Sequence, residues 1–230
     1  MKKTSLIIVA LLVAAGSLQA ARITQTNTFS GTPNYSSALW FNKFDTLGGV
    51  RTLTNVTVSV FLLTDAQGGI GVDNDGALPA SGTVTMGSKL TLSAAAAYGV
   101  AALDPLSATT SNYLSLAADD GDGTTYSTSG PDYGSMNVTA TQTNSYTIIG
   151  STYWGNYQGA GSFLFDVTID QIATYAVLGG VQALIDPMHS RGSVVVTYDY
   201  IPEPASAMLV FFGAGVGVVI HRARRSAMRR

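Results

Sequence analysis

Cysteine is absent from the 230 residues, which excludes a disulfide framework, a Cys-ligated zinc site, an iron–sulfur cluster and a thiol nucleophile. Histidine is nearly absent: His189 and His221 are the only two, too few for a His-rich metal centre. Charge is scarce, at 11% Asp, Glu, Lys and Arg against about a quarter in ordinary soluble domains. Glutamate occurs once, at Glu203. No Gly-rich stretch carries the Gly-Lys-Ser/Thr ending of a phosphate loop, and no G-x-S-x-G nucleophile elbow exists. Long segments of helical periodicity and fixed-period repeats are also missing, which argues against a helical bundle, a solenoid or a propeller.

The two ends of the chain carry the plainest signals. Lys2 and Lys3 precede the uncharged apolar run Leu6–Ala15, and Gly16–Ala20 closes on a small residue. This is the pattern of a secretory signal peptide over residues 1–20, with cleavage expected after Ala20. A ten-residue apolar run is about 15 Å of helix, short of the ~30 Å hydrocarbon core of a bilayer. At the other end, Pro202-Glu203-Pro204 marks a domain exit. Two prolines that lack a backbone N–H are not expected to continue a strand ladder. Sixteen residues without charge follow, Ala205 to Ile220, and the chain closes on Arg222, Arg224, Arg225, Arg229 and Arg230. As a helix that run measures roughly 24 Å, and snorkelling arginines cover the remaining mismatch on the cytoplasmic side.

Pro202-Glu203-Pro204, a short glycine-rich apolar helix and a terminal arginine cluster, in that order, resemble the PEP-CTERM sorting signal. The resemblance implies an exported bacterial protein whose tail is read near the Pro-Glu-Pro motif by a membrane protease of the exosortase type. It also implies delivery to the cell surface or an exopolysaccharide matrix.

Between the signals, residues 21–200 show period-two alternation. Val56, Val58, Val60 and Leu62 share one parity, as do Phe163, Phe165, Val167 and Ile169, and Val194, Val196, Tyr198 and Tyr200. Val84, Met86, Leu90 and Leu92 keep parity across Gly87-Ser88, which reads as a bulge. Further strands are expected over Ile23–Phe29, Leu39–Phe44, Tyr113–Leu116 and Asn137–Ile149, with short helices at Ser93–Ala97 and Asp170–Leu178. Eight to ten strands joined by Gly- and Asp-rich turns predict an all-β fold, an antiparallel β-sandwich of jelly-roll type. The full organisation is then a signal peptide, a β-sandwich ectodomain, and a sorting tail over 201–230 with a transmembrane helix at 205–220. Phe44–Gly48 leading into Leu53–Val58, and the close Val194–Tyr200 before the tail, are similar to the choice-of-anchor E domain. That resemblance implies a β-rich surface domain with no assigned catalysis.

Chemistry inside the domain is sparse. Its five basic residues (Arg22, Lys43, Arg51, Lys89, Arg191) stand against thirteen aspartates, a net charge of -8, so no nucleic-acid partner is expected. Most aspartates sit beside Gly or Asn and read as turn formers. Paired aspartates for a polysaccharide hydrolase are conceivable only if two converge in a cleft. A Ser-His-Asp arrangement would have to recruit His189, which lies in an expected loop. Asp73-Asn74-Asp75-Gly76 and Asp119–Gly123 offer oxygens on alternating residues, as calcium loops do, yet neither closes with a glutamate in the EF-hand manner. Ordinary turns are the favoured reading, and no metal or cofactor is assigned. Tyr153, Trp154 and Tyr157 form an aromatic cluster suited either to carbohydrate contact or to closing the end of a core. The expectation is a non-enzymatic exported surface or matrix protein. Its partners are signal peptidase, an exosortase-type protease, the membrane and exopolysaccharide. A carbohydrate-binding or adhesive domain is the alternative.

Overall fold

In the computed structural model of the chain, residues 20–65, 68–177 and 180–203 are described. Eleven strands account for most of them: β1 (Ala21–Gly31), β2 (Tyr35–Asn42), β3 (Arg51–Asp65), β4 (Gly69–Asn74), β5 (Ala80–Leu92), β6 (Leu106–Leu116), β7 (Tyr133–Asn137), β8 (Ala140–Ile149), β9 (Ser162–Val177), β10 (Val181–Ile185) and β11 (His189–Pro202). The strand pairings are antiparallel throughout. Three sheets result, with orders β1-β11-β3-β8, β10-β4-β7 and β2-β9-β5-β6.

The first two sheets are consecutive parts of one layer. The chain passes from β3 into β4, from β7 into β8 and from β10 into β11, so that β10, β4 and β7 extend β11, β3 and β8 in the same order. The β2-β9-β5-β6 sheet forms the opposite layer and serves both parts. The inward residues of β5 show this: Leu90 and Leu92 join the large core beneath β1-β11-β3-β8, and Val84 and Met86 join the smaller core beneath β10-β4-β7. The fold is an all-β sandwich.

Alternation decides which side chains enter the core. Val56, Val58, Val60 and Leu62 of β3, and Val194, Val196 and Tyr198 of β11, are fully buried and face Phe41, Phe165, Val167 and Ile169 of the other layer. At the seam between the two cores β5 presents a polar side chain inward. Ser88 accepts a hydrogen bond from Thr64 at 3.0 Å and also contacts the Ser190 hydroxyl, so all three buried hydroxyls are satisfied together.

Several sequence expectations change. β5 runs without a register shift through Gly87-Ser88. Gly87 is needed for close approach instead, because a Cβ there would collide with the Ala108 carbonyl oxygen and stand 2.6 Å from Thr109 Cα. The irregularity falls at Asp199/Tyr200, where β11 pairs with β3. Asp170–Val177 is not a helix but the second half of β9, zippered to β5 from Gly82 to Lys89. Ser93–Ala97 is a run of turns with Ala94 at φ 56, and among the described residues the one α-helix is a single turn, α1 (Trp154–Tyr157). Strand structure also reaches Pro202, which pairs with Arg51. β1 starts opposite Tyr200, so beyond that point β11 has a neighbour on one side only, and an edge position tolerates the missing N–H. Among the described residues no helix is long and apolar enough to cross a membrane. The expected signal peptide (except Ala20) and the transmembrane helix at 205–220 lie outside the described residues.

Candidate functional site

Four places were singled out by the sequence: the domain exit, the aromatic cluster, His189 and the aspartate-rich turns. At the exit, the Glu203 N–H donates to the Val50 carbonyl at 2.8 Å and the Thr52 hydroxyl donates to the Glu203 carboxylate at 3.0 Å. The Arg51 guanidinium stands over the Tyr200 ring, 5.3 Å from its centre. Pro202 and Glu203 are therefore held against the start of β3, with Glu203 exposed. Pro204 and the membrane-orienting arginines Arg222, Arg224, Arg225, Arg229 and Arg230 lie outside the described residues.

The aromatic cluster is mostly core. Tyr157 is fully buried, and its hydroxyl donates to the Tyr98 carbonyl at 2.9 Å. Its ring meets Phe163 edge-on with centroids 5.1 Å apart, and Trp154 packs half-buried against the same group. Only Tyr153 remains exposed, leaving no open platform of several rings.

His189 opens β11 rather than lying in a loop. It points outward between two strand ends: its Nε2 is 3.1 Å from the Ser30 hydroxyl, and its Nδ1 is 3.6 Å from the Asp65 carboxylate. The second distance is too long for a hydrogen bond. Arg191 shares Asp65 at 4.0 Å. The group thus has a serine, a histidine and an aspartate in sequence-distant proximity, but on regular strands and without the strained turn of a nucleophile elbow.

The aspartate-rich turns form one place. The loop from Ala117 to Asp132 joins β6 to β7 with neither helix nor strand, and it is built by carboxylate-to-backbone bonds of the kind that favour Asp in turns. Asp119 Oδ1 accepts from the N–H groups of Gly121 at 3.1 Å and Gly123 at 3.4 Å. The Asp120 N–H donates to Asp132 Oδ2 at 2.9 Å, drawing the loop's two ends together. The end of β4 then docks against it. The Asn74 N–H donates to the Asp132 carbonyl at 3.1 Å, the Asp119 N–H to the Gly76 carbonyl at 2.9 Å, and the Ser127 N–H to Asp73 Oδ2 at 2.6 Å. One carboxylate oxygen from each of Asp119, Asp120, Asp122 and Asp132 lies within 4.8 Å of the others. The Asp122 carboxyl is held above the usual carboxylate range, by partial loss of solvation and by the like charges of Asp120, Asp73, Asp132 and Asp119.

Sequence reading found both turns, 73–76 and 119–123, but treated them as separate. It missed Asp132 as their common partner, because Ser129-Gly130-Pro131-Asp132 has the composition of an ordinary turn.

No family model matches the chain, and no curated protein matches it. Among solved structures it is similar to one described as the STIV MCP, at 11% identity and a TM-score of 0.27, covering 84% of this chain and 51% of that one. It is also similar to one of infectious bursal disease virus Gt strain, at 12% identity and a TM-score of 0.20, covering 81% of this chain and 38% of that one. The chain spans about half the length of the first and less of the second.

Proposed function

We propose that the chain is an exported, non-enzymatic bacterial protein of the cell surface or extracellular matrix, sorted by a PEP-CTERM tail. The carrying observation is the order of three elements at the end of the sequence: Pro202-Glu203-Pro204, sixteen residues without charge, and five arginines within the last nine residues. In this reading signal peptidase removes residues 1–20. The apolar segment holds the precursor in the membrane with its arginines on the cytoplasmic side. An exosortase-type protease then acts near the Pro-Glu-Pro motif, and exopolysaccharide is the matrix partner. The exposure of Glu203 beside the last strand supports access by such a protease. The strand order supports reading the sandwich as jelly-roll-like, with eight wrapped strand positions shared between two layers. A net charge of -8 over residues 21–200 keeps such a domain away from anionic membrane and nucleic acid.

The test is mass spectrometry of the mature protein from its native host. A carboxyl terminus near Pro202 is the expected result; a surface form that still ends at Arg230 overturns processing.

A further inference from the structure

We propose that the loop joining β6 to β7 is a calcium-binding site, with Asp119, Asp120, Asp122 and Asp132 as ligands and Asp73 at its base. The proposal is independent of how the chain is sorted.

The first observation is size. Two oxygens on opposite sides of a calcium ion, each about 2.3–2.6 Å from it, are about 4.6–5.2 Å apart. The four carboxylate oxygens, all within 4.8 Å of one another, therefore fit inside a single coordination sphere.

The second observation is an oxygen with nothing to bind. Asp132 is only 1% exposed; its Oδ2 takes the Asp120 N–H, and its Oδ1 is buried without a hydrogen-bond partner. Asp73, also 1% exposed, repeats the pattern: Oδ2 takes the Ser127 N–H and Oδ1 has no partner. A buried carboxylate oxygen left unpaired is costly, and buried polar groups in folded proteins almost always find a partner or an ion. The Asp132 Oδ1 is aimed at the cluster. It lies 2.6 Å, and Asp120 Oδ2 lies 2.8 Å, from the point where a Cβ on Gly130 would stand. Gly130, at φ 118, is thus the one residue type that leaves these two oxygens room to converge.

The third observation is the missing counter-charge. Among the described residues the ion pairs engage Asp199, Asp170 and Asp65, and none reaches this loop. Four carboxylates packed this closely, with Asp73 bonded to the same loop through the Ser127 N–H, are electrostatically matched to a cation.

The chemistry of the donors selects the ion. All are hard carboxylate oxygens, and His189 stands elsewhere, beside Ser30, so no nitrogen or sulfur ligand favours zinc or copper. An irregular loop with many carboxylates suits the flexible, high-coordination sphere of calcium better than the tight octahedron of magnesium. The site closes the β4 end of the sandwich, opposite the end where Pro202 pairs with Arg51.

The test uses the full-length protein after removal of metal with EDTA. Terbium is the probe, since Tyr133 neighbours Asp132 and Tyr126 packs against Tyr133, and both are placed to sensitise its luminescence. The expected result is tyrosine-excited terbium emission that calcium displaces, with a calcium Kd in the ~10⁻⁴–10⁻³ M range of extracellular modules and a melting temperature that rises with calcium. Asp132→Asn and Asp122→Asn should each weaken binding by roughly tenfold or more through loss of ligand charge. Asp122 is exposed and engages no side-chain hydrogen bond in the loop, so its variant keeps the fold even if Asp132→Asn does not. Asp170→Asn, on β9, should leave binding unchanged. Absence of calcium-displaceable emission, or affinity unaltered in Asp122→Asn, overturns the site; magnesium binding as tightly as calcium overturns the choice of ion.

Discussion

The Tyr198 hydroxyl donates to the Asn42 carbonyl at 2.9 Å, and this bond fastens the central strand of one layer to the edge strand of the other. Tyr198 is fully buried, with its ring 5.7 Å from that of Phe44. Asn42 is itself held in place by Gln25, whose amide nitrogen donates to the same carbonyl at 2.8 Å. Tyr198→Phe should therefore lower stability by about 1 kcal/mol, toward the low end for a buried hydrogen bond, because the carbonyl keeps one donor. Tyr198→Ala, which also empties the ring's volume, should cost about 3–5 kcal/mol. Urea unfolding of the two variants measures both.

Alkali should destabilise the domain through its buried tyrosines. Burial pushes the Tyr35 hydroxyl up to about 12, and burial likewise pushes Tyr157 and Tyr198 upward. A folded-state pKa above the unfolded value of about 10 means that the folded protein holds its protons longer. The stability this confers is complete below about pH 10 and is lost as pH rises toward 12. Equilibrium unfolding followed across that window should show a falling midpoint, and Tyr35→Phe should make the decline shallower. A flat stability curve between pH 10 and 12 contradicts the burial of these hydroxyls.

Gly87→Ala should destabilise the sheet by about 1–3 kcal/mol, the usual cost of forcing atoms into a packed region. The obstruction is backbone on the neighbouring strand, so no side-chain rotation relieves it. Gly192→Ala is the companion case on β11, where the new methyl would strike the Phe61 carbonyl and the Phe29 ring. Thermal unfolding decides, and a neutral result at either position contradicts this close approach of the strands.

Glu203→Ala separates sorting from folding. The side chain is exposed and, among the described residues, its one hydrogen bond is to the Thr52 hydroxyl, so stability should change by no more than about 0.5 kcal/mol. If the carboxylate is part of the recognised motif, the host should instead accumulate unprocessed chain. Immunoblotting of cell fractions reads the second effect and calorimetry the first.

What could be read from residues alone follows physical range. Val56–Leu62 and Val194–Tyr200 were legible as strands because one parity is apolar throughout while the other carries Thr57, Ser59, Thr197 and Asp199, with Phe61 and Val195 as the exceptions, a contrast written within seven residues. Asp170–Val177 was not, since Ile172, Ala173, Tyr175 and Ala176 also suit a helical face; pairing with β5 decides the outcome. The polar start of β6, Ser107–Asn112, gave too little alternation to mark a strand. The acidic loop was half legible. Asp73 and Asp132 are 59 positions apart, and only the docking of β4 on the β6–β7 connection unites them. The Ser30, His189 and Asp65 group was hidden for the same reason, being assembled from three strands.

The placement of β11 has a mechanical consequence. It is the last strand of the domain, yet it lies inside its sheet, bonded to β1 along 11 residues and to β3 along 14. Tension applied at Pro202 along the strand axis must slide β11 past both neighbours at once, breaking many hydrogen bonds together instead of peeling them one by one. Had the final strand lain at an edge, the same pull would have met one ladder. A domain held by its C-terminal end in flowing water would thus resist extraction with the widest grip its topology offers.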